Sequence, residues 1–234
     1  MSDLVSWWDA CKSTWVEAAM LKLHGYFRSS AAFRVRIALN YKQLAYESIP
    51  VHLLRDGGEQ HGASFRQRNP ARQVPVLEDG TLTLTQSLAI IEYLEETHPT
   101  PALLPRDAPG RARVRALALS IACDIHPLNN LRVMRYLKSP LEIDEPRRGE
   151  WSRHWIALGF AALEATLAQW DTTGDYCYGD APTVADCCLV PQVFNAQRIN
   201  CPLDPYPIIG RIYEHCMRQE VFAHAAPAAQ SDAE

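Results

Sequence analysis

Two spacings of apolar residues divide the chain into two parts. From about residue 20 to residue 101, strand-like and helical runs follow one another. Leu21 and Leu23, for example, alternate with polar neighbours as in a half-buried strand. Over residues 111–222 the apolar spacing is helical almost throughout. The pattern predicts an α/β domain over 20–101 and an all-α helical bundle over 111–222.

The order of elements in the first part is strand, helix, strand, loop, strand, strand and helix. Residues 45–51 complete a β-α-β unit, for which we expect a parallel, right-handed connection. Asp79-Gly80 marks a tight hairpin, because this pair suits the positive φ of such turns. A helix over 88–96 follows the hairpin. This order is that of a thioredoxin-like domain.

The second part begins after a proline-rich connector, residues 98–110. Thr183 and Asp186 have the spacing of a capping box, which marks a helix start. Residues 223–234 are rich in alanine and small polar residues, and they predict a flexible tail. We expect helices near 111–138, 150–170, 183–197 and 207–218.

Residues 1–19 form an N-terminal extension with two interpretations. Leu4, Trp8, Cys11 and Trp15 fall on one helical face, which favours a short amphipathic helix. Alternatively, a start codon upstream of Met20 added the segment, because the folded pattern begins there. The segment lacks the basic start and continuous apolar centre of a secretion signal.

Composition indicates a folded, cytoplasmic protein. The chain has 234 residues, of which 47% are hydrophobic, enough for a substantial core. Its formal charge of −4 and the absence of basic runs argue against nucleic acid and membrane surfaces as partners. No apolar stretch approaches the ~18 residues that span a bilayer. The 7 cysteines include no C-x-x-C pair, so we expect reduced thiols and no metal site.

Two adjacent serines, Ser29 and Ser30, stand between a strand-like run and a helix in which Phe33, Ile37 and Tyr41 share one face. A helix N-terminus has unpaired N–H groups that favour negative charge, and a hydroxyl adds a hydrogen bond. The junction is therefore suited to a thiolate. From these residues alone the simpler interpretation, in which Ser29 or Ser30 is only an N-cap, is favoured, because serine is strongly preferred at caps.

Several longer motifs carry a family resemblance over residues 20–227. They are Phe27-Arg28-Ser29-Ser30, residues 34–39, Asn69-Pro70, Gln73-Val74-Pro75, residues 86–96 and residues 189–193. In these motifs the chain resembles the zeta class of glutathione transferases. The resemblance implies the glutathione transferase fold, which combines a thioredoxin-like domain with a helical bundle. It also implies a homodimer.

Glutathione is the cofactor that the resemblance implies. Pro75 is then cis, and the backbone of Val74 binds the cysteinyl part of the tripeptide. Gln86 and Ser87 receive the γ-glutamyl carboxylate, in agreement with the affinity of helix N-termini for anions. The other glutathione contacts implied by the resemblance are Gln60, His126 and Asn130.

The implied activity is a glutathione-dependent cis–trans isomerisation of a maleyl keto-diacid, either maleylacetoacetate or maleylpyruvate, in the catabolism of tyrosine and other aromatic compounds. A thiolate adds reversibly to the double bond and allows it to rotate. We expect Ser29 to stabilise the thiolate and Ser30 to orient the tripeptide. The zeta-class motif has a cysteine after the serines, whereas this chain has Ala31. The reactive sulfur is therefore expected to be that of glutathione.

Arg28, Arg132 and Arg198 match the family positions that bind substrate carboxylates. A guanidinium fork fits a carboxylate and stays charged at any working pH. Each arginine taken alone would be read as half of a surface ion pair. Two alternatives have the same fold: a general transferase that conjugates small electrophiles, and a non-catalytic binding protein. The arginines argue against the first, and the retained serines argue against the second.

Overall fold

The computed structural model describes residues 20–234. The N-terminal extension, including the helical face predicted from Leu4, Trp8, Cys11 and Trp15, lies outside these residues. None of the helices within 20–234 is long and apolar enough to cross a membrane.

A four-stranded mixed sheet forms the centre of the first part. Its strand order is β2-β1-β3-β4, in which β1 is parallel to β2 and antiparallel to β3. The predicted hairpin is confirmed, since Gly80 has a φ of +57° in the turn between β3 and β4. The strands are β1, Leu21–Gly25; β2, Tyr46–Pro50; β3, Val76–Asp79; and β4, Leu82–Thr85.

Three helices accompany this sheet: α1, Ser30–Tyr41; α2, Ala63–Arg68; and α3, Ser87–Thr97. Helix α1 is buried from Ala32 to Leu39, a run that includes Arg34 and Arg36. Two charged side chains therefore lie beneath the surface of the same helix. Because a buried charge is costly without partners, each guanidinium depends on the polar groups around it.

The second part is helical throughout, as predicted. Its helices are α4, Ala108–Leu119; α5, Leu131–Lys138; α6, Glu145–Gln169; α7, Val184–Arg198; α8, Pro207–Met217; and α9, Glu220–Ala223. The expected continuous helix over 111–138 is wrong, because a π-helical turn (Ser120–Ile125) and a 3₁₀ turn (His126–Asn129) separate α4 from α5. Pro127 has no N–H to continue the helical ladder, and Asn130 caps a new helix.

Helix α7 is surrounded by other elements. Its predicted capping box is present, and Asp186 accepts hydrogen bonds from the backbone N–H groups of Thr183 and Cys177, each at 2.8 Å. Cys187 and Cys188 are both fully buried. Adjacent residues point to different sides of a helix, and every side of α7 is buried around these two cysteines. Their predicted role as small core residues is confirmed.

Residues 223–234, for which we predicted a flexible tail, contact the first part of the chain. Ala225 is fully buried, and its carbonyl oxygen accepts a 2.8 Å hydrogen bond from Nε of Arg36. Arg36 also donates to the carbonyl oxygen of Phe27 at 3.0 Å, and the Phe27 N–H donates to Asp232. Small alanine side chains permit this close packing. The tail therefore fixes the loop that precedes the two serines.

A buried ion pair holds the connector between the two parts. Nζ of Lys42 lies 2.7 Å from Oε2 of Glu95, and it also donates to the carbonyl oxygens of His98 and Pro101. Glu95 in turn accepts the backbone N–H groups of residues 103 and 104. The ion pair joins the end of α1 to α3, and the other bonds join the connector to these two helices.

Replacing Lys42 by methionine is expected to destabilise the fold by about 3–5 kcal/mol, because Glu95 would keep a buried charge without its partner. The measurement is the free energy of unfolding in urea. Lys22→Met is the matched control, since Lys22 and Glu47 form an exposed pair at 3.7 Å. The control should cost about 0–1 kcal/mol. Equal losses in the two variants would contradict the importance of the buried pair.

Candidate active site

Two adjoining cavities lie where the first part meets the helical bundle. The larger has a volume of about 490 Å³ and the smaller about 200 Å³. Val74, His126, Asn130 and Arg132 line both, so the cavities form one cleft. Every predicted site residue lines this cleft: Arg28, Ser29, Ser30, Gln60, Val74, Pro75, Gln86, Ser87, His126, Asn130, Arg132 and Arg198. Their roles remain predictions.

Ser29 is the N-cap of α1, which confirms the simpler interpretation of this residue. Its Oγ accepts a hydrogen bond from the backbone N–H of Ala32 at 3.2 Å. A hydroxyl has a proton to donate as well as lone pairs to accept, so capping leaves the donor available. Ser29 and Ser30 are half-buried and line the larger cavity. The cap and a thiolate contact are therefore compatible.

A cis peptide bond joins Val74 and Pro75, as the resemblance implied. The preceding loop is held by Asn69, whose amide donates to the carbonyl oxygen of Gln73 at 2.7 Å and accepts the N–H of Ala71 at 3.0 Å. These bonds fix the backbone that reaches β3 at the middle of the cleft.

The N-terminus of α3 is open toward the smaller cavity. Gln86 has a φ of +68°, which is strained for a residue with a side chain, and it makes no capping bond. Ser87 accepts a 3.3 Å hydrogen bond from Nη1 of Arg34. Arg34 is only 2% exposed, and its Nε and Nη2 have no partner within residues 20–234. The smaller cavity therefore combines a helix N-terminus with a buried positive charge.

Three arginines extend this positive charge into the larger cavity. Arg28 lies over the ring of Phe27 at 4.8 Å, and Arg198 donates to Asn195 at 3.0 Å. Partial burial and the nearby charge of Arg28 lower the pKa of Arg198. Neither these two nor Arg132 has a carboxylate partner within 4.0 Å in the described part of the chain. The surface ion pairs expected of single arginines are thus not formed here.

His126 and Asn130 border both cavities from the bundle side. Oδ1 of Asn130 caps α5 by accepting the N–H of Arg132 at 3.1 Å, which leaves its amide N–H groups as donors. Burial, together with the charge of Arg34, lowers the pKa of His126 to about 3. The imidazole is therefore neutral at physiological pH and acts as a hydrogen-bonding group.

Gln60 lines the larger cavity but not the smaller one. Its amide nitrogen lies 3.4 Å from the carbonyl oxygen of Leu53 and 3.1 Å from Nε2 of His61.

Sequence reasoning did not find Arg135, which contacts Leu53 and His61 from α5. Its position three residues after Arg132, on the same helix face, was the available signal. Arg34 was also missed, because its role depends on a partner 53 residues away.

Among residues 20–234, no cysteine lines the larger cavity with Ser29. Ala31 occupies the position that follows the serines and lines both cavities. Of the cysteines within 20–234, Cys123 lines the smaller cavity, whereas Ser29 lines the larger.

Comparison with known proteins identifies the group that has this architecture. Residues 23–102 match the family described as "Glutathione S-transferase, N-terminal domain", and residues 153–215 match "Glutathione S-transferase, C-terminal domain". A probable maleylacetoacetate isomerase of Vibrio cholerae is 53% identical over 213 residues, which cover 91% of this chain and 98% of that one.

Two solved structures are also similar. The holo structure of a maleyl pyruvate isomerase, a bacterial zeta-class glutathione S-transferase, has a TM-score of 0.89 and 48% identity, with 91% of this chain and 100% of that chain covered. A maleylacetoacetate isomerase from Methylobacterium extorquens, with bound malonate and glutathione, has a TM-score of 0.87 and 41% identity, with 91% and 99% covered.

A thioredoxin-like sheet beside a helical bundle, with a serine-capped helix at the cleft, defines a glutathione S-transferase, and the chain belongs to this family. Within the family it belongs to the zeta class, alongside the maleylacetoacetate and maleylpyruvate isomerases. The resemblance found in the sequence is confirmed.

The lowered pKa of His126 predicts a pH dependence of stability. In the unfolded chain this histidine binds a proton as the pH falls through 6.5, whereas the folded chain binds it only near pH 3. Stability should therefore fall from about pH 6.5 down to about pH 4. As the pH is lowered, the free energy of unfolding in urea should fall less steeply for His126→Gln than for the wild type. The exposed His154→Gln is the control, and equal slopes in wild type and His126→Gln would contradict the prediction.

Proposed function

We propose that the chain is a glutathione-dependent cis–trans isomerase that converts a maleyl keto-diacid, maleylacetoacetate or maleylpyruvate, into its fumaryl isomer. The observation that carries the proposal is one cavity in which Ser29, at a helix N-terminus, lies with five arginines that have no carboxylate partner within 4.0 Å among residues 20–234: Arg28, Arg72, Arg132, Arg135 and Arg198. Relatives that share about half of the sequence have the names of such isomerases. We place the enzyme in tyrosine or other aromatic catabolism, as a cytoplasmic homodimer.

The residues of the cleft fit a tripeptide with a carboxylate at each end and a thiol in the middle. Ser87 and Arg34, at the N-terminus of α3, suit the γ-glutamyl carboxylate. The backbone of Val74 lies at the centre, and Gln60 lies at the far end. Three extended residues span about 10 Å. In this assignment residues 20–101 are the glutathione-binding domain, and residues 111–222 are the substrate domain.

Ser29 makes the bound thiol reactive. A free thiol has a pKa of about 8.5, so little of it is ionised at neutral pH. Lowering that pKa by about two units requires about 2.7 kcal/mol of preferential stabilisation of the anion. One hydrogen bond from the Ser29 hydroxyl and the field of α1 together are of this order. Ser30 orients the tripeptide from the first position of the helix.

Bound glutathione supplies the nucleophilic sulfur, whose reversible addition to the cis double bond allows that bond to rotate. The chain's own residues hold the substrate. Arg28, Arg132 and Arg198 bind its carboxylates and keep the reacting carbon beside Ser29. Because these guanidiniums have no acidic partner among residues 20–234, their charge is available to a dianion. Malonate, also a dicarboxylate, is bound with glutathione in the Methylobacterium relative.

The arginines favour this activity over general conjugation of electrophiles, which would need a more apolar second pocket. A non-catalytic binding protein would have no need of a hydroxyl donor beside a group of arginines without carboxylate partners. Neither structure nor charge favours one maleyl acid over the other. A side-by-side assay of both acids, with and without glutathione, distinguishes them.

Ser29→Ala is expected to lower kcat/KM for isomerisation about 100-fold, through loss of a hydrogen bond to the developing thiolate. Ser29→Thr keeps both the hydroxyl and the cap and should stay within several-fold of wild type. The assay follows the loss of maleyl absorbance with added glutathione. Asp144→Ala controls for a lost helix cap, because Asp144 caps α6 away from the cleft. Unchanged turnover in Ser29→Ala would overturn the thiolate assignment.

Arg132→Met and Arg198→Met are each expected to raise KM for the maleyl diacid about tenfold, because each removes a charge-assisted hydrogen bond to a carboxylate. KM for a neutral electrophile conjugated in the same cleft should change less than about twofold. The exposed Arg66→Met is the control for a lost positive charge. Equal effects on the diacid and the neutral electrophile would show that these arginines do not bind carboxylates.

A further inference from the structure

Arg135 bridges the two parts of the chain across the larger cavity. From α5 its Nη2 donates a 2.9 Å hydrogen bond to the carbonyl oxygen of Leu53, in the loop that follows β2. Its Nη1 lies 3.4 Å from Nε2 of His61 in the same loop. Arg135 is half-buried and lines the cavity. Its guanidinium is therefore held at a fixed position in the cleft wall.

Both partners of this guanidinium are uncharged. Nε2 of His61 has two close neighbours, Nη1 of Arg135 and the amide nitrogen of Gln60 at 3.1 Å. Both neighbours are donors, so Nε2 of His61 must be the acceptor and the ring proton lies on Nδ1. A neutral imidazole and a carbonyl oxygen orient Arg135 but leave its charge uncompensated.

No protein carboxylate neutralises that charge. Within residues 20–234, Arg135 has no acidic partner within 4.0 Å. No aspartate or glutamate is among the described residues that line the larger cavity. The remaining N–H groups of Arg135 can donate to a carboxylate. A half-buried arginine of this kind is therefore suited to a carboxylate that a ligand supplies.

The position of Arg135 indicates which carboxylate this is. Arg135, His61 and Gln60 form one contact chain that lines the larger cavity but not the smaller one, whereas Ser87 lines only the smaller cavity. In the proposed function the γ-glutamyl end of glutathione lies at Ser87. The other end of the tripeptide then reaches the Gln60 group, and it carries the glycine carboxylate.

We propose that Arg135 binds the glycine carboxylate of glutathione and so sets the affinity and specificity of the cleft for the intact tripeptide. The inference rests on the proposed function for the orientation of the tripeptide. Through this contact the bound peptide would link the loop after β2 to α5 of the bundle. A second consequence is discrimination against peptides that are uncharged at this end.

The test measures binding of two peptides by calorimetry: reduced glutathione and its glycine monoethyl ester, in which an uncharged ethyl ester replaces the glycine carboxylate. Arg135→Met should weaken binding of glutathione about tenfold but binding of the ester less than about twofold. Any loss caused by breaking the bond to Leu53 affects both peptides equally, so the ratio of the two affinities isolates the carboxylate contact. Lys138→Met, an exposed charge on the same helix outside the cavity lining, should leave both affinities within about twofold.

Equal weakening of the two peptides by Arg135→Met, or no weakening of either, would overturn the inference. An Arg135→Met effect on KM for the maleyl diacid, with an unchanged ratio of peptide affinities, would instead assign Arg135 to the substrate and also overturn it. If Arg135→Met does not fold, Arg135→Lys provides the test, and it should retain part of the preference for glutathione over the ester. Isomerase activity of the wild type is assayed separately. Its absence, with the peptide preference intact, would reject the proposed function and leave the Arg135 contact standing.

Discussion

Uncompensated positive charge at the cleft is the constraint on which the site depends. The chain has a formal charge of −4, yet the larger cavity is lined by arginines and, among the described residues, by no carboxylate. Arg34 is buried with two unsatisfied nitrogens and Arg135 is half-buried, and such charges are costly without acidic partners. Arg28, Arg132 and Arg198 are exposed to the cleft. This arrangement favours the binding of anions, and the N-termini of α1 and α3 add to it in the same direction.

The remainder of the fold fixes these groups in position. Lys42 and Glu95 form a fully bonded buried pair that joins the connector to the first part. Arg36, in contrast to Arg34 on the same helix, satisfies backbone carbonyls of the tail and of the loop before Ser29. The structural charges are thus paired or hydrogen-bonded, whereas those facing the cleft retain unused donors. This difference separates the scaffold from the binding site.

Local signals in the sequence predicted most of the elements. Strand alternation around Leu23, the Asp79-Gly80 turn and the Thr183–Asp186 capping box each depend on neighbours a few residues apart. Spacing did not reveal contacts that depend on distant partners. Arg36, for example, reaches Ala225, 189 residues away. Arg34 could not be identified as a cleft residue from spacing, since its role depends on a contact between separate elements. For Arg135 the only local signal was its position one helical turn after Arg132. The family motifs brought the other site residues to the same cleft.

A crystal structure of the chain with reduced glutathione tests the central claim most directly. The measurement is the distance from the glutathione sulfur to Oγ of Ser29. We predict a hydrogen-bond contact of about 3.0–3.5 Å, with the sulfur at the N-terminus of α1. A sulfur directed away from Ser29, beyond hydrogen-bonding distance of its hydroxyl, would contradict the assignment of this residue as the group that stabilises the thiolate.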